Sequence, residues 1–214
     1  MNNIVDLILV FLILSGFGLL GSSRLVSCIR IAAAQGTALG FLVLAQSFGV
    51  LSLRVIFITV AVVVLKGFVF PHLLERALRE SDTSREVQPF VGYVGSLVTG
   101  VIILVFSFWL GLKAALPVAG ASSIIVTGAF FLFLVGLFLI VARKTAINQV
   151  VGYLVMENGI YIFGFATVAE IPALVELGVL LDVFVAVFVM GIAIYRINKA
   201  FDHIDSDRLR SLKG

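Results

Sequence analysis

Charged and metal-binding side chains are scarce in this sequence. Of its 214 residues, 13% are charged, against about 25% in an average soluble domain, and there are one cysteine and two histidines. The single cysteine, Cys28, excludes an internal disulfide bond, and so few Cys and His residues exclude a Cys/His metal cluster. A soluble domain and a zinc site are therefore both poor descriptions of this chain.

Motifs of soluble enzymes are also missing. The sequence has no phosphate-binding Walker loop, no G-x-S-x-G and no H-E-x-x-H. The two polar stretches, residues 75–89 and 198–214, are too short to fold as domains. The net charge of +3 comes mostly from basic residues at predicted helix ends, so we expect no nucleic-acid partner.

Apolar residues make up 61% of the chain and form runs that are long enough to cross a bilayer. We therefore predict an all-α fold, a polytopic transmembrane helical bundle that forms a single membrane domain of residues 1–214. The seven predicted spans are 4–22, 26–50, 53–74, 90–112, 118–142, 146–169 and 174–197.

In this arrangement most basic residues lie on the same side of the membrane. Only Arg54 and Lys113 lie on one side, and Lys66 lies within a span. The other side holds twelve: Arg24, Arg30, Arg76, Arg79, Arg85, Arg143, Lys144, Arg196, Lys199, Arg208, Arg210 and Lys213. By the positive-inside rule the N-terminus lies outside and the tail 198–214 in the cytoplasm, which favours seven spans over six or eight. Because residues 1–6 contain no Lys or Arg, the first span is not expected to be a cleaved signal peptide.

Several features have a simple structural interpretation. The loop 75–89 and the tail are solvated connectors or, alternatively, docking surfaces for a cytoplasmic partner. In span two, Gln35 and Gln46 are expected to join helices, and Gly36 and Gly40 form a G-x-x-x-G pattern that is typical of close helix packing. Arg30, near the start of this span, is expected to reach the cytoplasmic interface. Spans four and five are expected to pack against lipid or a larger partner protein.

Three ionisable side chains lie deep inside predicted spans: Lys66, Glu157 and Asp182. Such a group at the centre of a helix costs roughly 2.5–3.5 kcal/mol on insertion scales. Buried charges of this kind usually face a packed or wet interior and mark a proton or ion path. The sequence therefore predicts a charge relay inside the membrane.

Glu157 has the strongest polar surroundings of the three. Gln149, Tyr153, Glu157 and Tyr161 recur every four residues and form one slowly drifting stripe on span six. A buried carboxyl beside tyrosine hydroxyls can hold a proton and release it when a cation approaches. The alternative is a neutral glutamic acid that hydrogen-bonds a neighbouring helix.

The other candidates are weaker. Lys66 either takes part in conduction, with Glu157 as the first partner to test, or extends towards the cytoplasmic interface. His72 lies near the cytoplasmic end of the same span. Glu176 and Asp182, six residues apart in span seven, point about 120° away from each other, so they cannot form one carboxylate pair. Glu176 can reach the outer interface, whereas Asp182 cannot.

The segment R-K-T-A-I-N-Q-V-V-G-Y-L-V-M-E-N-G at 143–159 resembles subunit K of NADH-quinone oxidoreductase and its counterpart, component C, in multisubunit cation/proton antiporters. The resemblance covers residues 118–197. The family's two glutamate positions correspond to Leu154 and a site near Val187, so Glu157 lies three residues later on a similar face. The matching residues are Arg143, Lys144, Gly152, Met156 and Asn158.

With spans one to four at 1–112, the whole chain resembles the membrane component E of hydrogenase-4, which belongs to formate hydrogenlyase-type complexes. This resemblance implies a non-catalytic subunit in the bacterial or archaeal inner membrane that contributes to proton or cation translocation. It also implies other membrane subunits as partners, contact with nickel–iron and iron–sulfur subunits that is only indirect, and no cofactor in this chain.

Three alternatives remain open from the sequence. One is a purely structural subunit that anchors an antiporter-like pump, and another is a subunit of a cation/proton antiporter. The third is a stand-alone transporter, although the chain has no matched pair of Gly/Pro-interrupted spans.

Overall fold

A computed structural model describes residues 2–46, 53–80, 89–113 and 123–167, together with the single positions Gly178 and Gly191. Its elements are all helices, which confirms the predicted all-α class for this part of the chain. They are α1 (Asn2–Gly21), α2 (Leu25–Gln46), α3 (Leu53–Val64), α4 (Phe70–Glu80), α5 (Tyr93–Lys113), α6 (Ser123–Ala142) and α7 (Ala146–Thr167), with a π-helical turn (Leu65–Val69) between α3 and α4.

Four of the helices are long and apolar enough to cross a membrane: α1, α2, α5 and α6. They correspond to the first, second, fourth and fifth predicted spans, so the chain is a multi-pass membrane protein. The third predicted span corresponds to α3, the π turn and the first five residues of α4, and the sixth corresponds to α7. The seventh, 174–197, falls almost entirely outside the described residues, and the span count and orientation stay predictions.

The helix that contains Lys66 is widened by the π turn. Both Val64 and Phe70 have right-handed helical backbone angles, so the helix is continuous from α3 into α4, and the Phe70 N–H donates to the carbonyl of Leu65, five residues back. Pro71 follows directly. It has no N–H, and in an α-helix its ring collides with the carbonyl four residues earlier. A wider turn before Pro71 relieves this crowding and places Lys66 in the widened part.

Glycine contacts bring α2 close to this widened helix. A Cβ at Gly36 would overlap the Cβ of Lys66, and one at Gly40 would overlap the side chain of Val63. The predicted G-x-x-x-G contact is therefore present, and it lies between α2 and the helix that carries Lys66. The Gln35 amide faces another neighbour: its Nε2 donates to Ser15 Oγ at 2.8 Å and so joins α2 to α1, as expected.

Helices α6 and α7 pack through glycines as well. A Cβ at Gly136 would overlap the backbone at Met156, and a Cβ at Gly152 would lie 2.9 Å from the carbonyl oxygen of Gly136. A Cβ at Gly159 would overlap the backbone at Phe133. Small residues of this kind allow two helix backbones to approach closely inside a membrane. The α6–α7 pair is therefore the closely packed frame that holds Glu157.

We expect Gly136→Ala to destabilise the protein, because backbone atoms of α7 cannot move aside for the new methyl group. Overpacking of this kind costs about 1–3 kcal/mol. Gly18→Ala is the matched control, since its Cβ would meet only Ile31 Cδ1 at an ordinary 3.4 Å. Thermal unfolding of the detergent-solubilised protein measures the difference. Equal melting temperatures for the two variants would contradict the close α6–α7 contact.

One end of the bundle is tied together by a buried arginine. Arg143, directly after α6, is 1% exposed. Its Nη2 donates to the carbonyl of Leu20 at 2.8 Å, and its guanidinium lies 4.8 Å from the ring centroid of Tyr93. Because the last carbonyls of a helix have no partner within it, Arg143 caps α1 while it contacts the start of α5.

Candidate functional site

The two buried ionisable residues in the described part of predicted spans three and six form an ion pair. Lys66 Nζ lies 3.0 Å from Glu157 Oε2, and the two side chains are 4% and 3% exposed. Lys66 comes from the π turn and Glu157 from the middle of α7. The structure therefore joins the base and the acid that the sequence suggested as partners.

Local backbone features place both side chains. Gly36 lets α2 approach Lys66 at its Cβ, which leaves only the outer part of that side chain free to turn. On α7, Gly152 and Gly159 face α6, and Glu157 follows Gly152 by five residues, about 140° around the helix. The carboxylate therefore points away from α6, towards the side where the ammonium lies.

Asn158 and Tyr161 also lie beside the ammonium. Lys66 Nζ donates a hydrogen bond to Asn158 Oδ1 at 3.2 Å, and it lies 5.8 Å from the centroid of the Tyr161 ring. Asn158 is 1% exposed and Tyr161 is 3% exposed. The ammonium therefore contacts a carboxylate oxygen and a neutral amide oxygen of α7.

The second carboxylate oxygen faces a different neighbour. Glu157 Oε1 is buried and has no hydrogen-bond partner among the described residues. Gly178, in the seventh predicted span, lies nearby: a Cβ there would be 3.9 Å from Oε1 and 3.2 Å from Tyr161 Cε2. The seventh predicted span therefore passes beside the ion pair at this one described position.

Burial determines what this arrangement can do. Removing one partner of a buried ion pair is costly because the other charge is left without compensation. If Glu157 takes up a proton, however, the ammonium keeps the amide oxygen of Asn158 and the face of Tyr161. The site can therefore change its charge by one proton while the Lys66 ammonium keeps polar contacts.

The other predicted site residues occupy different positions. Tyr153 is half-buried on α7, whereas Gln149 and His72 are exposed. Gln149 Nε2 donates to the carbonyl of Arg143 at 3.2 Å, close to the end of the bundle. Asp182 and Glu176 lie outside the described residues. Within the part of the chain that the structure describes, no group of three His, Cys, Asp or Glu side chains could hold a metal ion.

Sequence reasoning underrated two residues. Asn158 appeared only as a motif match, although two consecutive polar residues in the middle of an apolar helix are a signal in themselves. Arg143 was counted as a basic loop residue, and nothing in the sequence marks it as fully buried. The Arg30 side chain is 76% exposed, and its Nε lies 4.0 Å from Glu75 Oε1, while its place at the cytoplasmic interface stays a prediction.

Comparisons with known proteins agree with this architecture. Residues 124–214 match the family model of NADH-ubiquinone/plastoquinone oxidoreductase chain 4L. The match begins in α6, so Glu157 and Asn158 fall inside it and Lys66 lies outside. The resemblance to subunit K that the sequence indicated is thereby confirmed for the C-terminal part of the chain.

One similar protein extends the comparison to the N-terminal half, and a second matches over a shorter stretch. The chain is 33% identical to the uncharacterized protein Rv0085 of Mycobacterium tuberculosis over 186 residues, which cover 86% of this chain and 84% of that protein. It is 31% identical to hydrogenase-4 component E of Escherichia coli K12 over 119 residues, 56% of this chain and 55% of that relative's length. No solved structure matches the chain.

These similarities confirm the relationship to hydrogenase-4 component E. The long alignment with Rv0085 includes most of both proteins, and the chain 4L match accounts for the C-terminal part. The chain therefore belongs to the same family as Rv0085, with a chain 4L-like domain in its C-terminal part and a similarity to hydrogenase-4 component E over about half of its length.

Proposed function

We propose that this chain is a membrane subunit of a hydrogenase-4-like complex and that its Lys66–Glu157 pair belongs to a proton or cation path. The observation that carries this proposal is the ion pair itself, which is 3.0 Å long, buried on both sides and set between apolar helices. A purely structural contact needs no ionisable groups there, since apolar side chains would serve at least as well.

The relay works through coupled charges. A charge that moves in a neighbouring protein alters the attraction between Lys66 and Glu157, and with it the proton affinity of Glu157. Tyr153 and Tyr161 carry the proton along α7 by hydroxyl groups and water. Asp182 provides the next acid, while Glu176, Gln149 and His72 lie towards the ends of the path. Ion pumping by the assembled complex with Glu157→Gln tests this role directly.

The redox chemistry takes place in other subunits. Nickel–iron and iron–sulfur proteins on the cytoplasmic side act on this chain through larger membrane subunits. The chain crosses the inner membrane seven times, with its tail in the cytoplasm. The family relationship and the apolar helices support this arrangement.

Purification from native membranes tests the partners. We expect a tagged copy of this chain, extracted in mild detergent, to bring down an antiporter-like membrane subunit and the nickel–iron and iron–sulfur proteins. Mass spectrometry identifies them, and an equally tagged, unrelated multi-pass protein is the control. Recovery of the chain alone, with transport activity in liposomes, would instead support a stand-alone transporter.

A structural role is the second candidate. It is favoured by the contact of Gly36 with Lys66 and by the cap that Arg143 places on α1, both of which hold helices together. If the chain acts only as a scaffold, neutralising the pair leaves pumping unchanged in every complex that assembles. Measurements of pumping per assembled complex therefore separate the two functions.

A further inference from the structure

The Lys66 ammonium occupies a place where two oxygen atoms from α7 converge. Nζ lies 3.0 Å from Glu157 Oε2 and 3.2 Å from Asn158 Oδ1, although these side chains leave the helix in different directions. A carboxylate oxygen and an amide oxygen directed at one point are the donors that a hard cation such as Na⁺ prefers. In this protein the point is filled by a cation that is covalently part of the chain.

We infer that Lys66 sets the ion specificity of the path by holding the position that Na⁺ would need, so that Glu157 exchanges protons and not sodium ions. This inference rests on the proposed function. A proton adds to Glu157 without requiring the space that the ammonium fills. Sodium requires that space, because it must contact the oxygen atoms directly.

The packing prevents the lysine from giving way. Its Cβ is held against Gly36, and its ammonium has both Asn158 and the Tyr161 ring as further contacts. Lys66 is also 5% exposed, so a withdrawn ammonium would have to give up these contacts inside the bundle. Sodium would therefore compete with a tethered ammonium that already contacts both oxygen atoms.

Two substitutions separate the charge of Lys66 from its volume. Lys66→Ala removes the ammonium and leaves a space next to both oxygens, whereas Lys66→Met removes the charge and fills the space. The assay is turnover and ²²Na⁺ uptake by the assembled complex in inside-out vesicles, with sodium chloride or choline chloride at equal ionic strength. Thermal stability of the solubilised complex in the two salts is a second readout.

The wild-type complex should pump equally well in both salts and take up no ²²Na⁺. In Lys66→Ala, sodium should raise turnover about tenfold over choline, which is the size of one charge-assisted contact. Sodium should also raise the melting temperature of this variant relative to choline. Lys66→Met should give the same result in both salts. A sodium response in both variants, or in neither, would overturn the inference.

The wild type and Glu157→Gln also test the inference if a Lys66 variant fails to assemble. Sodium-dependent pumping in the wild type that disappears in Glu157→Gln would refute the inference and leave the proposed function intact. Normal pumping in Glu157→Gln would refute the proposed function, and the inference with it.

Discussion

Replacing Glu157 with glutamine is expected to reduce proton pumping to background while the complex still assembles. Glutamine has nearly the same shape, and its carbonyl oxygen can lie against the Lys66 ammonium as the present carboxylate oxygen does at 3.0 Å. It cannot bind or release a proton near neutral pH. The substitution therefore removes the exchange of charge and keeps the contact.

Pumping by Glu157→Gln can be followed in inside-out vesicles by the quenching of a pH-sensitive dye, with the amount of complex measured in the same membranes. Glu75→Gln is the matched control, because it is the same chemical change on a side chain that is 34% exposed at the end of the bundle. The control should pump normally. Pumping at the wild-type rate by Glu157→Gln would exclude this acid from the path.

Replacing Lys66 with methionine is expected to have the largest effect on stability. The change leaves Glu157 as an unpaired carboxylate that is 3% exposed, and breaking a buried pair in this way costs about 3–5 kcal/mol. We therefore expect much less assembled complex from this variant. The double variant Lys66→Met with Glu157→Gln removes both charges, so it should recover most of the loss without recovering any pumping.

A double-mutant cycle measures this coupling, with thermal or denaturant unfolding of the solubilised protein as the readout. The two single substitutions should be strongly non-additive, because they act on one ion pair. Additive effects would mean that Lys66 and Glu157 do not interact in the membrane. Recovery of pumping by the double variant would show that stability, and not proton exchange, had been limiting.

The sequence was sufficient to predict the helical class and to single out Lys66 and Glu157. Long apolar runs identified the helices, and the cost of burying charge identified Lys66 and Glu157 as unusual. Their contact could only be suggested, because hydropathy does not specify which spans are neighbours. The glycines at 36 and 40 did indicate a close helix contact, but not that Lys66 was the residue on its other side.

Backbone detail was harder to predict. Pro71 is visible in the sequence, yet the widened turn before it depends on how the freed carbonyl groups are satisfied. The polar stripe on α7 drifts by about 40° with each four-residue step, so Gln149 lies about 80° from Glu157 around the helix. This drift explains why Tyr161 reaches the ion pair while Gln149 bonds the carbonyl of Arg143.

The two residues of the ion pair come from different parts of the chain. Glu157 belongs to the segment that matches chain 4L, whereas Lys66 precedes it by more than fifty residues of sequence. A protein made of the 4L-like segment alone would contain the acid but not this lysine. Here the acid and its counter-ion are made together in a fixed one-to-one ratio, before any partner protein arrives.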